Sequence, residues 1–278
     1  MDSQLTQEEF ERFREFIWKL SGICIAENKL TLLTNRLKRR LRATGIATYQ
    51  AYFDYLKSRD GAAELPEFLD AITTNETSFF RTEKHFDWLS EEFVPEMIAR
   101  IRKREHEETI KVWSAACSTG EEIYTIAMCL EEARRKNPVW QFKLLGTDIS
   151  QEVLERAKQG MYSPANIKDI SEALRKRYFE TASQPESFQV KSALRDRTKF
   201  LQHNLLNPPP ESGFDVIFLR NVLIYFNRDS KQKVIEQIVK AIRPGGYLVI
   251  GPSEGIFDML PMLKRRHPFV FQKEIPPT

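Results

Sequence analysis

The chain of 278 residues has room for one large domain or two unequal ones, and 41% hydrophobic residues, with 19 phenylalanines, supply a packed core. A formal charge of +3 speaks against a general nucleic-acid binder. Cys24, Cys117 and Cys129 form no CxxC, so neither a zinc site nor a disulfide framework is expected, and no run nears the roughly 20 apolar residues of a membrane span.

Residues 1–72 read as wholly helical. The start, Met1 to Phe10, is acidic and polar rather than signal-like, so a cytoplasmic protein is expected. Phe10, Phe13, Phe16, Ile17 and Leu20 recur at helical spacing behind a Thr6/Glu9 capping box, and Gly22 ends that helix. A second helix carries Leu30, Leu33, Leu37 and Leu41 on one stripe and closes at Gly45. A third covers Tyr49 to Arg59, and a fourth follows Pro66. Residues 73–108 form an interdomain segment, polar and then aromatic, leading into one long amphipathic helix from Glu83 to Arg104.

Residues 109–278 alternate strands and helices. The expected strands are Ile110–Ser114, Phe142–Gly146, Lys199–His203, Phe214–Leu219, Tyr247–Ile250 and, last, Phe269–Gln272. The expected helices are Glu122–Arg135, Gln151–Gln159 and Ser230–Ile242, and Pro244-Gly245-Gly246 reads as a sharp turn. The fold class is α/β, a Rossmann-like parallel sheet behind a small all-helical domain. Residues 160–198 fit the alternation poorly and read as an insertion near the active face, with Ser187–Val190 as its one candidate strand.

Chemistry concentrates after the first strand. Ala115 to Gly120 are all small, which lets a ligand approach the backbone at the carboxyl end of a strand. The loop is neither GxGxxG nor GxxxxGK[ST], and Glu121 and Glu122 would repel a phosphate at the helix start. They suit a cation, or they simply favour a solvated helix N-terminus. Asp148, at the end of the second strand, either accepts both hydroxyls of a ribose or caps the helix near Gln151. A ribose ligand, no phosphate loop and carboxylates near a cation together point to S-adenosylmethionine.

Four passages resemble the CheR family, the chemotaxis receptor glutamate methyltransferases: Thr74 to Arg81, Trp113 to Glu122, Gly146 to Ile149 and Phe218 to Phe226. His203 to Leu206 and Gly251 to Glu254 add to them. Ile123 stands where the family often has proline, and Ser150 where it often has aspartate; neither removes a ligand group. The resemblance implies methyl transfer from S-adenosylmethionine to glutamate carboxylates of chemoreceptors, leaving S-adenosylhomocysteine. It implies that Asn75, Thr77 and Arg81 reach the cofactor pocket, Glu122 binds the methionine end and Asp148 the ribose. Asn204 and Leu205 would border the adenine, Arg220 and Asn221 line the pocket, and Arg81 and Tyr225 lie nearest the methyl. Taken singly, Arg81 reads equally as a surface charge and Tyr225 as core, whereas Phe79 and Phe80 read as packing residues. A nucleic-acid or small-molecule methyltransferase and a non-catalytic cofactor-sensing module remain the alternatives.

Arg36, Lys38, Arg39, Arg40 and Arg42 crowd one helix. Arg36, Arg39 and Arg40 share a face that either docks an acidic receptor helix or is merely solvated. Lys264 to His267 form a second, smaller basic patch. No nucleic acid, no metal and no membrane insertion are expected, and the expected state is a monomer. Family members with a small strand subdomain also tether to a receptor's C-terminal peptide; with so few strand signals in 160–198, no tether is expected here.

Overall fold

The computed structural model describes residues 4–182 and 186–275. Its N-terminal part is helical: α1 (Gln7–Ser21), α2 (Leu30–Thr44), α3 (Tyr49–Lys57) and α4 (Leu65–Ile72). The Thr6/Glu9 capping box forms as the sequence suggests, and Gly22 ends α1 in the left-handed region at φ 76°. The apolar stripes meet in one core of Phe10, Phe13, Ile17, Leu33, Leu37, Leu41, Tyr52 and Phe68.

The single helix expected over Glu83–Arg104 is interrupted. It runs as α5 (Lys84–Trp88), a π-turn over Leu89–Phe93, and α6 (Val94–Arg102). Pro95 lacks the N–H that a regular α-turn would use, and the wider turn just before it accommodates that loss.

The remainder builds a seven-stranded sheet from β1 (Thr109–Ala115), α7 (Glu121–Lys136), β2 (Gln141–Asp148), α8 (Gln151–Gln159) and the elements that follow. Residues 160–198 contain more strand than their sequence suggests. β3 (Met161–Tyr162), β4 (Phe179–Thr181) and β5 (Phe188–Val190), with α9 (Glu172–Tyr178) and α10 (Ser192–Arg195), form a small antiparallel sheet of order β3-β5-β4. Strands this short cannot display a legible alternation.

The main sheet continues with β6 (Thr198–Gln202), β7 (Phe214–Leu219), α11 (Arg228–Ala241), β8 (Ile242–Ile250), β9 (Leu263–His267) and β10 (Val270–Lys273). Its order is β6-β2-β1-β7-β8-β10-β9, parallel from β6 through β8 and antiparallel at β10 and β9. Pro244-Gly245-Gly246 is not a turn between elements: it lies inside β8, where a register shift against β7 absorbs it and Gly245 takes φ 77°. The Lys264–His267 patch is the edge strand β9, and charged edges discourage strand-to-strand association.

Alternation places the core on both faces. Val112, Val216, Phe218 and Val249 pack under α6 and α7, while Trp113, Ile217, Leu219 and Leu248 pack under Val234, Ile235 and Ile238 of α11. The helical part is tied to this sheet at its carboxyl edge. Cys24 N–H donates to the Tyr225 carbonyl at 2.7 Å, and Ile23 bridges Phe226 in antiparallel fashion. Asn204 Nδ2 donates to the Leu20 carbonyl at 2.9 Å, and Trp18 Nε1 to Ser230 Oγ at 3.2 Å. A Cβ on Gly22 would come within 2.9 Å of both Leu206 and Phe226, so glycine sets how closely the two parts approach.

Candidate active site

Between β1 and α7 the chain makes a tight cradle. Ala116 and Ser118 take left-handed conformations, φ 64° and 50°, before Gly120 at φ 95°. Left-handed non-glycine residues cost of order 1–3 kcal/mol each and persist only where their surroundings hold them. Here Cys117 N–H donates to the Thr147 carbonyl at 2.8 Å, and Ser118 N–H to Asp148 Oδ2 at 2.9 Å. Gly146 lets the cradle close on β2, since a Cβ there would meet Cys117 Sγ at 3.0 Å.

Asp148 is 7% exposed. Its Oδ1 accepts from Ser150 N–H at 3.0 Å, and burial pushes its carboxyl upward against those backbone donors. It is not the cap of α8: Ser150 takes that place, its side chain accepting from Val153 N–H. Asp148 instead holds the cradle and faces the cleft.

The paired glutamates diverge. Glu121 is 3% exposed, accepts from Thr119 Oγ1 at 2.7 Å and is raised by burial. Glu122 faces the cleft, accepting from Ser114 Oγ at 2.8 Å and from Arg220 at 2.7 Å. Arg220 is nearly enclosed and also donates to the Arg81 carbonyl at 2.5 Å. Arg220 thus bridges Glu122 and the Arg81 carbonyl with its two terminal nitrogens, and this buried cation fixes Glu122 where it lines the cleft.

Across the cleft lie Asn75, Thr77 and Arg81 of the interdomain segment. Ser118 Oγ donates to the Asn75 carbonyl at 3.0 Å, and Arg81 donates to the Glu76 carbonyl at 2.9 Å. Arg81 pairs with no carboxylate among the described residues. Phe79 packs edge-on against Tyr162 at 4.8 Å, as a packing residue should. Asn221 takes φ 56° after β7, and a 3₁₀ turn, Leu223–Tyr225, brings Tyr225 to the rim. All ten residues singled out from the sequence line one cleft of about 420 Å³: Asn75, Thr77, Arg81, Glu122, Asp148, Asn204, Leu205, Arg220, Asn221 and Tyr225.

The basic face of α2 is not the free surface its spacing suggests. Arg40 is bound bidentately by the buried Glu64, at 2.8 Å from each oxygen, which raises its pKa. Arg36 turns into the cleft, donating to the Ile72 carbonyl and to Thr74 Oγ1 at 2.9 Å. It has no carboxylate partner among the described residues, and burial lowers its pKa. Arg39 alone of the three is exposed. Helical periodicity separates faces but does not show what the neighbouring loops bring to them, so the entry of Arg36, Lys29 and Ile23–Ala26 into the cleft had no sequence signal beyond the Gly22 stop.

The all-alpha domain of the CheR methyltransferases matches residues 8–73, and their S-adenosylmethionine-binding domain matches residues 75–267. The chain belongs to the CheR methyltransferase family. It is 36% identical over 259 residues to a chemotaxis protein methyltransferase of Borreliella burgdorferi, covering 92% of this chain and 91% of the relative. It is also 36% identical over 263 residues to the enzyme of that name from Salmonella typhimurium, covering 92% and 86%. Against that of Escherichia coli it is 36% identical over 257 residues, covering 90% and 85%.

This CheR-family chain is therefore an S-adenosylmethionine-dependent methyltransferase. The cleft fits that cofactor: one wall is a cradle of small residues, and Glu122 and Asp148 line it for a ligand that is cationic at one end. Among the described residues no helix is long and apolar enough to cross a membrane.

Proposed function

We propose that this methyltransferase esterifies glutamate side chains on the cytoplasmic helical domains of chemoreceptors, giving glutamate O5-methyl esters and S-adenosylhomocysteine. The observation that carries the reading is a pair of arginines without carboxylate partners in the cleft. Arg81 and Arg36, neither with a carboxylate partner among the described residues, line it together with Glu122 and Asp148. Unpaired arginines in a cleft suit an anionic acceptor. The names of the relatives supply the biological class of that acceptor.

Bound S-adenosylmethionine supplies a methyl group on a positively charged sulfur. Asp148 accepts from the ribose hydroxyls, Glu122 faces the methionine ammonium, and Asn204 and Leu205 border the adenine. Asn75, Thr77 and Asn221 shape the cofactor's remaining contacts, and Arg220 acts by fixing Glu122. Arg81 orients the acceptor carboxylate, with Tyr225 closing the space beside it. A glutamate carboxylate is already ionised at neutral pH, so no general base is required. The protein's work is alignment and exclusion of water around opposite charges.

Residues 1–72 form the receptor-facing domain, 73–108 the segment that carries Arg81, and 109–278 the transfer domain, in a monomeric cytoplasmic enzyme. The test is incubation with radiolabelled S-adenosylmethionine and cytoplasmic fragments of the host's chemoreceptors. Base-labile methyl esters on glutamate are expected. Cofactor binding with no ester on any host receptor would end the proposal, and label on RNA or a small molecule would redirect it.

A further inference from the structure

Glu254 lies outside the cleft and is completely buried. One carboxylate oxygen accepts the Asn221 N–H and the other accepts the Leu223 N–H at 2.9 Å. The Val222 N–H faces it as well. Three successive backbone donors at the end of β7 thus converge on one carboxylate. Gly251 makes room for it, since a Cβ there would stand 2.7 Å from Glu254 Oε1 and 3.2 Å from Asn221 N. Lys231 of α11 anchors the same segment by donating to the Glu254 carbonyl at 2.7 Å.

The donors belong to the loop that carries the acceptor wall. Asn221 is held in the left-handed region, which needs outside support. The next turn, Leu223–Tyr225, ends in the carbonyl that receives Cys24 N–H. One line of bonds therefore runs from Glu254 through Asn221–Leu223 to Tyr225 and on to the helical domain.

We propose that Glu254 is a positioning residue for methyl transfer: its buried carboxylate sets the Asn221–Tyr225 wall, and with it the placement of Tyr225 beside the acceptor. The inference rests on the assignment of Tyr225 to the acceptor side. Removing a carboxylate oxygen from three backbone donors lets the loop relax, and a displacement of about 1 Å at a reacting pair costs up to roughly 100-fold in rate.

The enzyme is compared as wild type, Glu254→Gln, Tyr225→Phe and the double variant, with S-adenosylmethionine saturating and receptor fragment varied up to saturation. Glu254→Gln keeps the volume and one acceptor oxygen. Its kcat should fall at least about 10-fold, with KM for receptor changed far less, and Glu254→Asp should recover part of the loss. The double variant should be little slower than the slower single variant, because both act on one wall. Amide hydrogen exchange in Glu254→Gln should quicken at Asn221–Leu223 and stay unchanged in β7. A kcat near the wild-type value, multiplicative losses in the cycle, or faster exchange across the whole sheet would each overturn the proposal. A slow Glu254→Gln beside a wild-type Tyr225→Phe would overturn the Tyr225 assignment and this inference with it. A fast Glu254→Gln beside a slow Tyr225→Phe would overturn this inference alone.

Discussion

The two ends of the same strands are built on opposite principles. At the amino edge, Asp215 at the start of β7 is 2% exposed and fully engaged: it lies 2.6 Å from His106 Nε2 and accepts from Lys111 N–H at 2.8 Å and Arg243 at 3.0 Å. There the polar groups are closed on one another. At the carboxyl edge, Ala116, Ser118 and Asn221 are left-handed, and Arg81 has no carboxylate partner among the described residues. Unmet charge gathers where a ligand is to complete the structure, and a satisfied polar network occupies the other edge.

That contrast breaks if the closed edge matters for rate or the open edge for stability. The largest effect is expected at the closed edge. Asp215→Ala leaves a buried His106 without its carboxylate partner and a backbone N–H and Arg243 without their acceptor, so unfolding free energy should drop by about 3–5 kcal/mol. Chemical denaturation measures this, and kcat per folded molecule should hold. Next is Arg81→Ala at the open edge. Its loss should lower kcat by about 100- to 1000-fold, the range seen when a preorganised electrostatic contact is removed, with the denaturation midpoint unmoved. A wild-type rate would take Arg81 out of the chemistry.

A smaller effect sharpens the contrast at Asp148. Asp148→Asn turns an N–H₂ toward Ser118 or Ser150 donors and weakens the ribose contacts, so cofactor affinity should fall by about 1.5–3 kcal/mol. Calorimetric titration reads it. The wild type should also lose affinity as pH falls, because hydroxyl donors need the ionised carboxylate. Burial sets the folded Asp148 pKa above its unfolded value, so that loss should begin above the ordinary aspartate range. The sign for the free enzyme is the reverse. A carboxyl that holds its proton more tightly when folded favours folding at low pH, and this contribution is lost as pH rises through the raised value. Affinity and apo stability should move in opposite directions, and Asp148→Asn should flatten both contributions.

Much of this was legible in the residues. The order of strands and helices followed from periodicity, and the small-residue loop with Asp148 marked the carboxyl edge. All ten candidate residues converge on one cleft because each sits at a strand end or in the segment packed across those ends. What stayed hidden depends on third parties. Asp148 read equally well as a helix cap until Ser150 was seen to fill that place. Glu254 belonged to a resembling motif, but its task needs the three-dimensional return of β8 beside β7. The β3-β5-β4 sheet uses strands too short for any period. The π-turn before Pro95 compensates a missing donor that sequence shows only as a proline in an otherwise regular helix.

The smallest expected effect separates two neighbours that sequence treated alike. Arg39 is exposed, whereas Arg40 is locked onto Glu64, which also accepts from Tyr52 Oη at 2.7 Å. Arg40→Ala would strand a buried carboxylate, so it should lower the stability of the helical domain, and any loss of methylation should track the fraction unfolded. Arg39→Glu touches no internal partner. An exposed charge at a docking rim contributes about 1 kcal/mol or less and acts mainly on encounter. Arg39→Glu should therefore raise KM for receptor fragment a few-fold, leave kcat and the melting curve alone, and lose its effect as added salt screens the charge. Equal KM values for Arg39→Glu and wild type at low salt would remove α2's outer face from receptor docking. That would leave Arg36, inside the cleft, as the only one of the three arginines placed to meet the acceptor.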